Sequence, residues 1–183
     1  MFLDISSHDY DKDVIPFIKN GIIIDTSIIK IIIDGFVSTR ISQKRLEELS
    51  DYKKLLDFLD LIKVNNKWDK FFITPHIFTE VCTHLRNDYN KRSNYKDIVN
   101  EVFPLLKNIE EQSVCKNDII DHIDFKNPVI EVGDISIFLV AEGFINAAKK
   151  VAILAKDWRI NKQYEYSKNV MVMDYESIIL NRL

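Results

Sequence analysis

The sequence predicts an α/β domain built around a mainly parallel central sheet. Four short apolar runs do not alternate with polar residues, which is how strands buried on both faces read. Between them lie longer segments with apolar residues at helical spacing, and strands alternating with helices imply a parallel sheet. Only four glycines and four prolines among 183 residues argue against long linkers, so one domain is expected across residues 1–183.

The elements follow in order. Residues 1–20 fit the alternation poorly and are expected to form an N-terminal extension, either an irregular cover or an added edge strand. The run GIIID at 21–25 is the first strand, after which the apolar run resumes past Asp25 and Thr26. Residues 45–63 place leucines at helical intervals with charges between them. KFFIT at 70–74 is the second strand. Thr74-Pro75 then reads as an N-cap with proline at the first helical position, opening a helix to residue 90. Residues 94–109 make another helix, kinked or broken at Pro104. Gly133-Asp134 opens a helix through residue 150. VAILAKD at 151–157 and NVMVMD at 169–174 are the remaining strands, and residues 175–183 a final helical turn or two.

The composition is that of an ordinary globular protein, 46% hydrophobic and 29% charged, with a net charge of −3. That charge says little about partners, and a nucleic-acid binder would need local basic patches instead. Cys82 and Cys115 make no disulfide framework and no CxxC pair, so reduced thiols and a cytoplasmic location are expected. The acidic start MFLDISSHDYDKD is unlike a signal peptide. No run approaches the about 18 apolar residues a membrane span needs.

In open parallel sheets, ligands bind beyond the carboxyl ends of the strands, where strand order reverses. Four acids stand on that side. Asp25 ends the first strand, Glu80 lies nearly two turns into the helix after the second, Asp134 opens a helix, and Asp157 ends the VAILAK strand. Each has a structural reading alone: Asp25 and Asp134 as caps, Glu80 as a solvated helix residue, Asp157 as a strand end. Their joint placement is what the capping reading does not require. Converging carboxylates repel, and hard divalent cations, Mg²⁺ or Mn²⁺, are their natural counterions. Acid-only sites of this kind suit phosphoryl chemistry, and the Thr26 or Ser27 hydroxyl adds a group for a water or a phosphate oxygen.

IIIDTS, ITPHIFTEV, VGDISIFLVAE and VAILAKD, in that order, resemble the four acidic motifs of PIN domains (PilT N-terminus-like). The resemblance runs from Gly21 to about Asp174. It implies a three-layer α/β/α sandwich and a metal-dependent ribonuclease acting on single-stranded or structured RNA, as in toxins of toxin–antitoxin pairs and RNA-processing nucleases. It further implies that Asp25, Glu80, Asp134 and Asp157 are catalytic and hold Mg²⁺ or Mn²⁺, with Thr26 or Ser27 assisting. The products would be a 5′-phosphate and a 3′-hydroxyl, and the partners an RNA substrate, with an antitoxin protein and a homodimer admitted. The chain departs from the pattern in having Ala155 where the family often has Thr or Ser, and Trp158-Arg159-Ile160 where a further acid often follows. It is also longer than the small toxins.

Other groupings carry less. His76, Glu80 and His84 recur every four residues, a face that could hold zinc, but not in the HExxH order and with no cysteine or third histidine placed to join; one histidine is expected beside the cleft. His8 and His122 have no partner in the sequence. Asp118, Asp121 and Asp124 read as a solvated helix face, and Glu131 as a surface residue or an outer oxygen of the site. Arg86, Lys91, Arg92 and Lys96 with Tyr89 and Tyr95 form a candidate RNA surface, cations for phosphates and rings for bases, or simply an exposed helix end. Arg40, Lys44 and Arg45 are a weaker second patch.

The reading that joins these residues is a metal-dependent endoribonuclease. Its rivals are a binding or scaffold module of the same fold, for which Ala155 is the warning sign, and a haloacid-dehalogenase-type phosphatase. The latter normally carries a second Asp two positions after the first, where this chain has Ser27.

Overall fold

The computed structural model describes residues 10–123 and 131–176. It opens with two short helices, α1 (Tyr10–Asp13) and α2 (Ile15–Ile18). This corrects the expectation of an irregular cover or edge strand for the described part of residues 1–20. Pro16 sits in the first turn of α2, where its missing N–H costs nothing, and Phe17 and Ile18 are buried beneath it.

Five strands follow: β1 (Ile22–Ile24), β2 (Phe71–Ile73), β3 (Glu110–Glu111), β4 (Val151–Ala155) and β5 (Val170–Asp174). They form one all-parallel sheet in the order β3-β2-β1-β4-β5. All residues of β1, β2, β4 and β5 are buried. Because side chains alternate across a strand, burial of every position requires helices on both faces, as in a three-layer α/β/α arrangement. β3 has no apolar run to announce it; it is a two-residue edge of exposed glutamates, which discourages further pairing.

The helices between the strands are α3 (Thr26–Arg40), α4 (Ser50–Leu61), α5 (Pro75–Tyr89), α6 (Tyr95–Lys107), α7 (Lys116–His122), α8 (Val132–Asn146) and α9 (Trp158–Tyr164). α3 has no counterpart among the sequence expectations. Its Ile28, Ile29, Ile32, Ile33 and Val37 form a helical stripe of buried side chains, but β-branched residues favour strands and hide the period. Gly35 makes room for α4, since a Cβ there would lie 2.0 Å from Tyr52 Cγ. α4 starts at Ser50 rather than 45; Leu46–Glu48 form a 3-10 turn, and Leu49 (φ −114°, ψ 67°) breaks the chain direction. α6 runs unbroken through Pro104, which stands in its last turn and leaves only the carbonyl of the exposed Asn100 without its helical N–H. α8 stops at Asn146 rather than 150, with Ala148 in the left-handed region at φ 54° turning the chain into β4. α9 is also additional to the expected elements.

Asp118 and Asp121 are exposed on α7, as expected of a solvated face. His8, Asp124 and the final helical turns at 177–183 lie outside the described residues. One buried cluster runs from Val14 to Tyr175, joining every strand except β3. Among the described residues, no helix is long and apolar enough to cross a membrane.

Candidate functional site

Strand order reverses between β1 and β4, and the two strands are paired in register, Ile22 with Ala152 through Ile24 with Leu154. The pairing extends one residue further, the Asp25 N–H donating to Leu154 O at 3.0 Å. Asp25 and Asp157 therefore leave the sheet side by side at the reversal, where an α/β sheet opens a crevice.

A cleft of about 510 Å³ lies there, lined among others by Asp25, Thr26, Ser27, Glu80, Asp134 and Asp157. All four sequence-selected acids and both assisting hydroxyls thus share one cavity.

Each acid is held by a different device. Asp25 caps α3 from an extended backbone, Oδ1 accepting the Thr26 N–H at 2.7 Å and Oδ2 the Ser27 hydroxyl. Burial pushes its carboxyl up from the ordinary range, and its hydrogen bonds offset only part of that. Glu80 reaches in from α5, its Oε2 accepting the Thr26 hydroxyl at 2.6 Å. Its carboxylate lies against Gly133, where a Cβ would stand 2.6 Å from Oε1. Glycine is thus what lets Glu80 close on the first turn of α8, the end of a helix that favours an anion.

Asp134 is the third residue of α8 and forms a capping box with Glu131. Capping and site-lining roles therefore coexist in one side chain. Two buried hydroxyls pin this turn to the sheet: Ser136 donates to Gly133 O at 2.6 Å and lies 2.7 Å from Thr74 Oγ1 at the end of β2. Burial, with the charges of Asp25 and Asp157 adding to it, pushes the Asp134 carboxyl up to about 6. Asp157 behaves oppositely. Its oxygens accept the Arg159 backbone N–H at 2.8 Å and Nε–H at 2.7 Å, and the guanidinium holds its carboxyl below the ordinary range.

The expected RNA surface lies elsewhere. Arg86 lines a separate groove with Cys82, Tyr95 and Phe103. Lys91 and Arg92 are exposed, with the Arg92 guanidinium 4.5 Å above the Tyr89 ring. Tyr89 is buried and its hydroxyl donates to Asp34, so it offers no free face to a base, a correction to the sequence reading. The cations lining the acidic cleft are instead Lys30, Lys156 and Arg159. Lys30 pairs with Asp34 at 3.3 Å and with Asp88, and Lys156 with Glu176 at 3.6 Å. Glu131, Glu176 and His84 line the cleft too, whereas His76 does not. These residues lack a local signature. Helical spacing from Thr26 could have found Lys30 had α3 been recognised.

Among the described residues, no three Asp, Glu, His or Cys side chains close up into a ready ligand group. The carboxylates of Asp25, Glu80, Asp134 and Asp157 are each held by a separate donor: Thr26 and Ser27, Thr26, the Glu131 backbone and Arg159. Compared with family models, curated proteins and solved structures, the chain matches none.

Proposed function

We propose that this chain is a divalent-metal-dependent endoribonuclease of the PIN type. The observation that carries the reading is the convergence of Asp25, Glu80, Asp134 and Asp157 on one cleft at the strand-order reversal. The four motifs that resemble PIN domains contribute these same acids.

The donor set fits a hard divalent ion. It is made of carboxylates and hydroxyls, and the Asp134 carboxyl, raised by burial first and by Asp25 and Asp157 in addition, is one whose charge a cation stabilises. Asp25, Glu80 and Asp134 would hold Mg²⁺ or Mn²⁺, with Asp157 beside them. When bound, such an ion lowers the pKa of a water and offsets charge on the phosphate and leaving oxygen. The chain's own residues do the rest. Thr26 and Ser27 fix the Glu80 and Asp25 carboxylates by donating to them. Lys30 and Lys156 place positive charge at the cleft for neighbouring phosphates. Hydrolysis adds water at phosphorus and breaks the P–O3′ bond, and the departing 3′-oxygen takes up a proton.

The test is cleavage of single-stranded and structured RNAs by the purified chain, with Mn²⁺ or Mg²⁺ and with chelator. Metal-dependent products bearing 5′-phosphates are expected; intact RNA under every divalent condition overturns the reading. A second reading, an RNA-binding or scaffold module, is favoured by Arg159 occupying both oxygens of Asp157.

Gly133→Ala separates site from fold. The new methyl must push the Glu80 carboxylate away, a cheap movement for a side-chain end. Alanine also suits a helix better than glycine by roughly 0.5–1 kcal/mol. The metal-free variant should therefore melt no lower than wild type, while the melting rise produced by Mn²⁺ shrinks. A variant with an undiminished Mn²⁺ response would show that Glu80 has no part in the site.

A further inference from the structure

Asp157 differs from the other three acids in being tied to a cation within its own segment. Oδ1 accepts the Arg159 backbone N–H, and Oδ2 accepts Nε–H and lies against Nη2 as well. Lys30 and Lys156 pair with acids outside the set of four, Asp34, Asp88 and Glu176. Arg159 alone among these three brings its charge onto a member of the set. Its guanidinium lines the same cleft as Asp25, Glu80 and Asp134.

The geometry points to a division of labour: Asp25, Glu80 and Asp134 hold a single divalent ion, while Asp157 anchors Arg159, whose guanidinium takes the substrate phosphate. The inference rests on the nuclease reading and specifies how its site is used. Recruiting Asp157 as a further ligand would compete with its ion pair to Arg159, which Asp25, Glu80 and Asp134 do not have. It would also set a second cation beside an arginine that cannot lose its proton. With Nε and Nη2 on Asp157, the guanidinium is fixed at the cleft as a planar, permanent positive charge of the kind that suits phosphate oxygens. It then faces the charge that grows on those oxygens as water adds to phosphorus and the P–O3′ bond lengthens. This chain has arginine two residues past its fourth acid, so a fixed positive charge at the cleft is built into the polypeptide.

Calorimetric titration of Mn²⁺ into the metal-free full chain tests the first half. One ion per chain is expected. Asp157→Asn keeps the N-cap acceptor of α9 and should bind Mn²⁺ within about threefold of wild type, whereas Asp25→Asn should lose at least about tenfold. Loss of Mn²⁺ in Asp157→Asn equal to that in Asp25→Asn, or two ions in wild type, overturns the assignment. Inorganic phosphate tests the second half. With Mg²⁺ saturating, phosphate should raise the melting temperature of wild type and, in part, of Arg159→Lys, but not of Arg159→Ala. An equal rise in Arg159→Ala, or none in wild type, removes the phosphate role. These readouts do not need turnover: a chain that passes both yet cleaves no RNA refutes the nuclease reading and leaves this assignment standing.

Discussion

On the proposed nuclease reading, Asp25→Asn should all but abolish metal-dependent RNA cleavage and leave the chain folded. The structural half of that result follows from what the side chain does without metal. Asp25 caps α3 by accepting the Thr26 N–H and the Ser27 hydroxyl, and asparagine is about as good an N-cap as aspartate. Burial disfavours the charged carboxylate, shown by its raised pKa, so the neutral amide removes a penalty that wild type carries at neutral pH. The metal-free variant should melt at or slightly above the wild-type temperature. The catalytic half follows from position. Asp25 stands at the strand-order reversal, in the cleft shared with Glu80, Asp134 and Asp157. Losing a residue that only supports a metal ligand commonly costs 10–100-fold, so losing a ligand should cost at least about a hundredfold in rate. The check is cleavage rate and thermal melting on one preparation, with and without Mn²⁺. Wild-type cleavage by the variant would remove Asp25 from the site, and loss of cooperative melting would show its role to be structural.

The sheet was readable because its strands are buried on both faces and appear as uninterrupted apolar runs. GIIID, KFFIT, VAILAKD and NVMVMD each contain the strand observed. The acids were readable for a related reason. A parallel sheet puts strand ends on one side, so Asp25 and Asp157 could be put on that side from their places at the ends of apolar runs. What escaped was information that no local window holds. The stripe of α3 is built from isoleucines whose own preference is for strands. β3 is a pair of exposed glutamates held by its neighbour rather than by apolar content. The basic segment after α5 had the right composition for RNA, yet Tyr89 turns inward to Asp34 while Lys30 and Lys156, distant in sequence, reach the cleft. Composition identified chemistry there but could not say which way the helix faces.

The pH dependence of metal stabilisation tests the cost of keeping Asp134 charged in the cleft. The Asp134 carboxyl is pushed up to about 6 from 3.8, by burial first and by Asp25 and Asp157 in addition. A folded-state pKa above the unfolded one means that ionisation opposes folding. The penalty is absent below the unfolded value, grows between 3.8 and about 6, and is complete above that window. The Asp25 carboxyl shifts in the same direction and reinforces the trend, while Asp157, held down by Arg159, opposes it at lower pH. Metal-free wild type should therefore gain stability relative to Asp134→Asn as pH falls through about 6. At neutral pH, Asp134→Asn should be the more stable by about 1 kcal/mol, a value kept small because the side chain is partly exposed and water screens it. For a chain of this size, that is a melting difference of about 2–4 °C. On the proposed reading, divalent metal should reverse the comparison, because metal ligands must be deprotonated and a proton on Asp134 would compete with it. The melting rise from Mn²⁺ should be strong at about pH 7.5, weak at about pH 5, and lost at both in Asp134→Asn. An increment of equal size at the two pH values would mean that Mn²⁺ binds elsewhere, whereas a crossing of the two proteins' melting curves on adding Mn²⁺ is the signature of a carboxylate that resists its own charge until a cation arrives.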